Sequence, residues 1–359
     1  MTDLLQLLYD IPIVGLVFQF VAYLITTIPV VAPIILRVAT PIGFAALCGV
    51  VCERSGVVNI GIEGIMLTGA FVGWLVGALL APTLGGFAAP IFGLTPALVL
   101  GVAAAIGAGM LISLLHAWLS ISVRADQIIS GTIINIAALG MTTYLYQLLQ
   151  QSSLGGGAGA FRVFLPPAAL TDLPFVGWIF RTLLNQGPLT MSLIVITVFI
   201  QVALFRSRWG LRTRAVGEHP KAAETVGIDV IRLRYRNVVL AGGLAALGGA
   251  VLAMETTSSF SSGMTAGRGF IGLAAMIVGR WTPLGALGAA LLFASSQAIS
   301  QALHFVAPPG QLGELLASVP PQFYDALPYL VTIVVLTGLV GRSLPPAADG
   351  QPYQREAAA

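Results

Sequence analysis

Apolar stretches of about 20 residues recur along the whole chain, and they limit the folds open to it. Of the 359 residues, 57% are hydrophobic and only 9% are charged, whereas a soluble domain usually carries about 25% charged residues. A helix of about 20 apolar residues crosses the hydrocarbon core of a bilayer. The stretches do not alternate over about 10 residues, as the strands of an outer-membrane barrel do. We therefore predict an all-α, polytopic helical membrane protein.

Counting the apolar stretches predicts eight to ten transmembrane helices, some of them broken or re-entrant. The first stretch is separated from the second only by Pro33, and the eighth begins with polar residues. Residues 343–359 are polar and rich in proline and alanine, which predicts a disordered C-terminal tail. The candidate spans are 11–31, 33–52, 65–81, 97–119, 127–150, 188–206, 237–256, 261–280, 283–305 and 326–342.

The basic residues are unevenly distributed, and this predicts the orientation of the chain. Loop 206–236 contains eight of the 17 lysines and arginines, whereas the long connection 152–187 contains only Arg162 and Arg181. Cytoplasmic loops of membrane proteins are enriched in lysine and arginine. We therefore expect loop 206–236 in the cytoplasm and loop 152–187 outside.

Several enzyme classes are excluded by the sequence. The single lysine, Lys221, follows Pro220, so no phosphate-binding GxxxxGK loop is present. Three scattered histidines and two cysteines give no pattern for a metal centre or a nucleophilic triad. We expect a protein that is not an enzyme, has no catalytic residues and uses no cofactor or metal. No charge block large enough for nucleic-acid binding is present in the tail.

Within the basic loop, the segment GEHPKAAETVGID (217–229) predicts a short exposed helix. Pro220 suits the first turn of a helix, and Gly227 suits a helix stop. Such a helix either touches lipid headgroups or forms a rigid lever for a cytoplasmic motor. Composition does not decide between these two interpretations.

Two glycine-rich interruptions divide the apolar pattern. The first is ERSGVVNIGIEG (53–64), and the second is MTAGRGFIGLAAMIVGRWTPLGALG (264–288), whose apolar piece has only about a dozen residues. At about 1.5 Å per residue this piece is too short for a hydrocarbon core of about 30 Å. Broken backbone at membrane depth is tolerated where protein buries it or where it lines a watery cavity. A pair of interruptions therefore indicates a transporter's central site.

Polar residues near these interruptions are candidates for a translocation path. Asn59 and Glu63 lie in the first interruption, and Gln127 and Asn135 share one face of the fifth candidate span. They either line the path of a polar solute or have structural roles. Glu63, for example, can stabilise the start of the following helix. Polar side chains also hold membrane helices together. A neutral amide such as Asn135 can bind a polar solute without the cost of a buried charge.

Four separate blocks of the sequence resemble one family of transport proteins. They are similar to segments of ABC-importer permeases of the ribose and branched-chain amino acid permease superfamily. The four blocks are GEHPKAAETVGI, ERSGVVNIGIEGIMLTGAF, LLHAWLSISVRADQIISGTIINIAALG and MTAGRGFIGLAAMIVGRWTPLGALGAALLFA. Within that superfamily they resemble the nucleoside-type branch, and there the shorter of two paralogous permeases. The resemblance covers about residues 39–341, and the first span and the loop near 152–170 depart from the pattern.

The resemblance implies a permease domain at residues 1–342, multi-pass in a bacterial cytoplasmic (inner) membrane. It also implies cytoplasmic ABC ATPase subunits that supply ATP hydrolysis and a paralogous permease subunit that completes the path. An extracytoplasmic solute-binding lipoprotein would deliver a small-molecule nucleoside. The residues that the resemblance assigns to ATPase coupling are Glu218, Pro220, Lys221, Ala222, Ala223 and Gly227.

Two alternatives to a nucleoside importer remain open at this point. A sugar such as ribose suits the same pathway, which is poor in full charges and supplied with amides and hydroxyls. An ion-coupled secondary transporter needs a membrane-buried acid, for which Glu63 is the candidate.

Overall fold

The structure is a computed structural model. The residues that it describes are 12–150 except 87 and 90, 159–305 except 174 and 175, scattered residues between 313 and 334, and 343–354. These residues form helices and loops, and no β-strand occurs among them. The predicted all-α class is therefore confirmed.

Twelve α-helices follow one another in the described chain between residues 12 and 305. Two of them, α3 and α10, continue as π-helical turns at Trp118–Val123 and Val251–Thr256. The helices are α1 (Pro12–Glu53), α2 (Ile62–Leu84), α3 (Pro96–Ala117), α4 (Gln127–Gln150), α5 (Ala168–Thr171), α6 (Gly177–Leu184), α7 (Pro188–Arg206), α8 (Arg208–Glu218), α9 (Pro220–Thr225), α10 (Val230–Ala250), α11 (Arg268–Val278) and α12 (Pro283–Phe305).

Six helical segments in the described part of the chain are long and apolar enough to cross a membrane. Two further apolar helices, Arg268–Val278 and Pro283–Ile299, are shorter. The predicted span 326–342 lies almost wholly outside the described residues, so the total of eight to ten spans remains a prediction. The six segments are Ile25–Glu53, Ile62–Leu84, Pro96–Val123, Gln127–Gln150, Pro188–Arg206 and Val230–Thr256.

The structure corrects the predicted N-terminal spans. Instead of two spans separated at Pro33, α1 is one helix of 42 residues. A proline inside a membrane helix removes one backbone donor, and neighbouring helices and side chains can satisfy the carbonyl that this leaves free. The side-chain amide of Gln186 donates to the carbonyl of Pro33 itself (3.1 Å). The carbonyl that Pro33 leaves free is that of Pro29, so the bond from Gln186 anchors the helix without replacing the missing one. The helix nevertheless continues where the sequence predicted a break.

The first of two compact units contains residues 1–38, 165–186 and 291–339. In it, Arg37 donates through Nε to Gln186 Oε1 (2.9 Å) and through Nη2 to the carbonyl of Asn185 (3.0 Å). The short helix α6 belongs to the same unit. These bonds tie the loop that follows α6 to α1 within this unit.

The second unit contains residues 39–164, 187–290 and 340–359, and its core is built from α2, α3 and α10. Small residues allow these helices to approach closely. A Cβ atom on Gly69 would lie 2.6 Å from the Cα of Ala246, which is too close for two carbon atoms that are not bonded to each other. Close approach through small residues is typical of membrane helix packing. Both interruptions and the segment 217–229 belong to this unit.

Candidate translocation and coupling site

The non-helical part of the first interruption, residues 54–61, lies between the end of α1 and the start of α2 and is held by side chains. The amide N–H of Val58 donates to Oε1 of Gln127 (2.7 Å), and the carbonyl of Val58 bonds to Nε2 of His116 (2.9 Å). Asn59 is fully buried, and its Oδ1 accepts the N–H of Gly61 (3.0 Å). Gln127 and Asn59 therefore satisfy backbone groups of the broken segment.

Asn135, on α4, satisfies two further backbone groups at the start of α2. Its Oδ1 accepts the N–H of Gly64 (2.7 Å), and its Nδ2 donates to the carbonyl of Ile60 (2.9 Å). An amide has two donor hydrogens and two acceptor lone pairs. One donor and one acceptor site of Asn135 therefore remain for another partner.

Glu63 connects the first interruption to the second. Its Oε1 accepts the N–H of Gly267 (2.8 Å), and its Oε2 accepts the N–H of Gly269 (2.6 Å), at the N-terminal end of α11. The first N–H groups of a helix lack intrahelical partners, and a negative charge is favourable there. Glu63 itself lies in the first turn of α2. Its carboxylate thus stabilises the start of a different helix, α11.

Where the two interruptions meet, the structure contains a cavity of about 310 Å³. Glu63 and Asn135 both line it, whereas Asn59 and Gln127 do not. Phe270 lies at its edge with 47% of its surface exposed. The lining residues are Glu63, Gly64, Leu67, Asn135, Ile136, Leu139, Gly263, Thr265, Ala266 and Phe270. Two of the four residues predicted for the path therefore come together, and the other two hold the loop beside them.

A second set of bonds joins the first interruption to the turn after α11. The carboxylate of Glu53 accepts the indole N–H of Trp281 (2.5 Å). Arg54 donates through Nε to the carbonyl of Trp281 (2.8 Å) and through Nη2 to that of Arg280 (3.2 Å). Both residues of this turn have positive φ angles, 54° and 52°. Glu53 and Arg54, at the end of α1, therefore hold a turn with unusual backbone angles.

The segment 217–229 contains the predicted helix, α9, with the predicted bounds. Gly227 adopts φ +82°, an angle that glycine accepts without strain, just after the helix ends. The N–H of Gly227 bonds to the carbonyl of Glu224 (2.9 Å), and the N–H of Ile228 bonds to that of Ala223 (3.1 Å). This pair of bonds is a Schellman motif. Gly227 thus ends the helix as the sequence predicted.

The residues predicted for coupling divide into two groups. Glu218, Lys221 and Ala222 are exposed, and Pro220 is half-buried. Ala223 is buried and packs in a small hydrophobic cluster with Val216, Val230 and Tyr353. The first group is available to a partner, whereas Ala223 and Gly227 shape the helix.

The C-terminal residues 343–354 pack on the loop that contains α9. The N–H of Ala348 donates to the carbonyl of Gly217 (2.9 Å), and the hydroxyl of Tyr353 donates to Glu224. Tyr353 is buried in the cluster beneath α9. The composition predicted disorder for residues 343–359. Residues 343–354 are packed instead, and residues 355–359 lie outside the described residues, so the prediction stays open for them.

Sequence reasoning missed Arg234, a residue with a central position in this unit. Its side chain is only 2% exposed. Nε donates to the carbonyl of Ser55 (3.0 Å), and Nη1 donates to that of Gln351 (3.0 Å). One guanidinium group therefore joins the first interruption to the C-terminal segment. In the sequence it is one of eight basic residues in a basic loop, so nothing distinguished it.

Comparisons with known proteins identify relatives over almost the whole chain. The sequence model of the family described as the permease component of branched-chain amino acid transport systems matches residues 32–336. The guanosine ABC transporter permease protein NupQ of Bacillus subtilis is 39% identical over 333 residues, which cover 92% of this chain and 98% of the relative. The nucleoside ABC transporter permease protein NupC of Lactococcus lactis subsp. cremoris is 36% identical over 335 residues, 92% of this chain and 98% of the relative.

A third relative carries the name of a different substrate. A candidate glucose ABC transporter permease protein of Haloferax volcanii, TsgC13, is 34% identical over 337 residues, 89% of this chain and 96% of the relative. No solved structure matches the chain.

Proposed function

Because this chain belongs to the family of permease components of branched-chain amino acid transport systems, we propose that it is the membrane-spanning permease subunit of an ATP-driven (ABC) importer of nucleosides. The observation that carries the proposal is the cavity at which the two broken segments meet. Discontinuous helices that meet at a polar site are typical of the substrate sites of transporters.

The walls of this cavity favour a nucleoside over a free sugar. Leu67, Ile136 and Leu139 give it apolar walls, and Phe270 offers an exposed ring. Aromatic side chains stack on nucleobases with about 1–3 kcal/mol per base. The remaining donor and acceptor of Asn135 can bond to a base edge or a ribose hydroxyl. A sugar without a base would leave the apolar wall and the ring unused.

The relatives support the same choice. Two of the relatives described above, NupQ and NupC, are named for guanosine and for nucleosides, at 39% and 36% identity. The relative named for glucose is 34% identical, so sugar transport remains the second candidate. We assign a nucleoside as substrate because the cavity and these two relatives agree.

The hydrogen bonds of the Glu63 carboxylate argue against ion-coupled transport. An ion carrier needs a carboxylate that can bind and release its ion during each cycle. Both carboxylate oxygens of Glu63 accept backbone N–H groups at the start of α11. Releasing these groups at membrane depth would leave them without partners, at a cost of about 1–3 kcal/mol each.

We assign the coupling function to α9, which exposes Lys221 and Ala222, and to the exposed Glu218 just before it. Cytoplasmic ABC ATPase subunits would grip this surface, and a second, paralogous permease would complete the translocation path. An extracytoplasmic solute-binding lipoprotein would deliver the nucleoside on the outer side of a bacterial cytoplasmic membrane. The short, well-terminated helix supports the assignment because a rigid element transmits force better than a flexible loop.

Uptake measurements test the proposed function. Cells that lack the chain and cells that regain it are given labelled guanosine or adenosine, with and without excess ribose or glucose, and with ATP depleted in parallel. We expect uptake that depends on the chain and on ATP and is indifferent to both sugars. Abolition by a sugar would assign the chain to sugar transport, and uptake that survives ATP depletion would contradict an ABC importer.

A further inference from the structure

The C-terminal segment 343–354 and α9 face each other across a groove of about 800 Å³. One wall is formed by residues from Glu218 to Ala222, and the other by residues from Ala347 to Gln354. The complete set of lining residues is Glu218, His219, Pro220, Lys221, Ala222, Ala347, Ala348, Gln351, Pro352, Tyr353 and Gln354. The wall opposite α9 thus comes from the last part of the described chain.

This second wall is anchored along its length. The N–H of Ala347 donates to the carboxylate of Glu218 (3.2 Å), and the N–H of Ala348 donates to the carbonyl of Gly217 (2.9 Å). Farther along, the hydroxyl of Tyr353 donates to Glu224, and its ring lies in the cluster beneath α9. Segment and helix are therefore bonded at both ends of the groove, and its shape is set before a partner binds.

Between these anchors the segment presents exposed side chains. Gln351 and Pro352 are exposed between them, Gln354 is exposed just beyond Tyr353, and Lys221 and Ala222 are exposed on the opposite wall. A groove with two fixed walls and exposed polar side chains on both of them can hold a protein segment without reorganising, which lowers the cost of binding.

We propose that the C-terminal segment 343–354 is the second wall of a composite binding groove for the ATPase subunit, and that part of the ATPase inserts between this segment and α9. The proposal rests on the proposed function, which places the ATPase on α9. The ATPase is the occupant because the groove is continuous with that surface and shares Glu218, Lys221 and Ala222 with it.

The groove also has a direct connection to the first interruption. Arg234 donates to the carbonyl of Gln351 in the segment and to the carbonyl of Ser55 in the interruption. A displacement of the segment therefore acts through one buried guanidinium on the loop that precedes Glu63. A partner in the groove would therefore contact α9 and a segment that Arg234 joins to the loop before Glu63.

Retention of the ATPase by the full-length chain tests the groove. The chain is purified by affinity tag from membranes that contain its natural partners, and the ATPase is identified by mass spectrometry and by its ATP hydrolysis. Gln354→Trp fills the groove from the C-terminal wall, and Ala222→Arg fills it from α9. Leu344→Trp is the matched control, because Leu344 is exposed in the same segment but does not line the groove.

We expect Gln354→Trp and Ala222→Arg each to reduce retained ATPase about tenfold, while Leu344→Trp retains it fully. Release by Ala222→Arg with full retention by Gln354→Trp would overturn the composite groove and leave the proposed function intact. Full retention in both variants would contradict the coupling function itself.

A cross-linking experiment covers the case in which Gln354→Trp disturbs folding. A maleimide-benzophenone probe is attached to Gln354→Cys or to Leu344→Cys in the assembled complex, and adducts are identified by mass. We expect an adduct with the ATPase from position 354 only. Absence of that adduct, or an equal yield from position 344, would overturn the proposal.

Discussion

Asn135 and Glu63 satisfy, at membrane depth, backbone groups that water satisfies elsewhere. Each accepts or donates to main-chain groups where a helix is interrupted. Unpaired backbone groups in hydrocarbon cost several kcal/mol each. A broken segment can therefore persist beside the cavity only while these side chains hold it, so the same residues support the loop and line the cavity.

Replacing Asn135 with leucine tests this double role. Asn135→Leu leaves the N–H of Gly64 and the carbonyl of Ile60 without their partner, at a cost of about 1–3 kcal/mol. We expect a lower thermal unfolding midpoint of the purified chain and weaker nucleoside uptake, with the ATPase retained. Ile133→Leu, on the same helix but outside the cavity, is the control and should change neither quantity. An unaltered midpoint with lost uptake would restrict Asn135 to solute binding.

Residue identity and spacing revealed part of the candidate site. Asn135 and Glu63 stood out because polar groups are rare in apolar runs, and both line the cavity. Asn59 and Gln127 each accept a backbone N–H group, and sequence does not show which backbone groups lack partners. The same applies to His116, whose ring bonds to Val58 and Ser130 across the fold.

At the scale of elements, the ends of several helices were predicted well from residues close to them in the sequence. The predicted bounds of α4, α7 and α12 agree with the structure, and two of these helices begin at a proline, which suits the first turn. The break predicted at Pro33 is wrong, since α1 runs through it as one helix, and prolines are tolerated in membrane helices where neighbouring groups satisfy the freed carbonyl. The order of the C-terminal segment was missed for a similar reason, since its partners lie on α8, α9 and α10.

The C-terminal segment carries a buried carboxyl group that makes its packing sensitive to pH. Burial raises the pKa of Asp349 from its usual 3.8 to about 6, against the opposing effects of a hydrogen bond to Glu53, the backbone N–H of Gly350 and the charge of Arg234. Between these two pH values the packed segment binds more protons than a detached one. Packing is therefore strongest near pH 4 and weakens by about 3 kcal/mol as the pH rises to about 6, with no further change from this group above that.

A spin label at Gln354→Cys measures this dependence in nanodiscs. We expect its mobility to increase between pH 4 and pH 6 and to level off above. In the Asp349→Asn background, which is neutral throughout, the increase should be largely lost. A mobility that does not change with pH in the native background, or that changes equally in both, would show that Asp349 does not control the packing.

Along the whole chain, the basic residues and the proposed coupling surface fall in the same stretch of sequence. The basic residues concentrate around α8, α9 and the start of α10, and the C-terminal segment packs on that same end of the second unit. The positive-inside rule assigns this end to the cytoplasm, which is where a coupling surface must lie to meet ATP. The loop between α2 and α3 lies one membrane crossing away from the interruption that precedes α2, so we expect it outside.

Cysteine labelling tests this orientation. Cys48 and Cys52 are buried, so background labelling is low. Ala88→Cys places an exposed thiol in the loop between α2 and α3, and Thr225→Cys places one at the end of α9. In intact cells, a membrane-impermeant maleimide should label position 88 and not position 225. In inside-out vesicles the order should reverse, because α9 then faces the reagent. Labelling of position 225 in intact cells would place α9 outside, away from ATP, and would contradict both the coupling function and the composite groove.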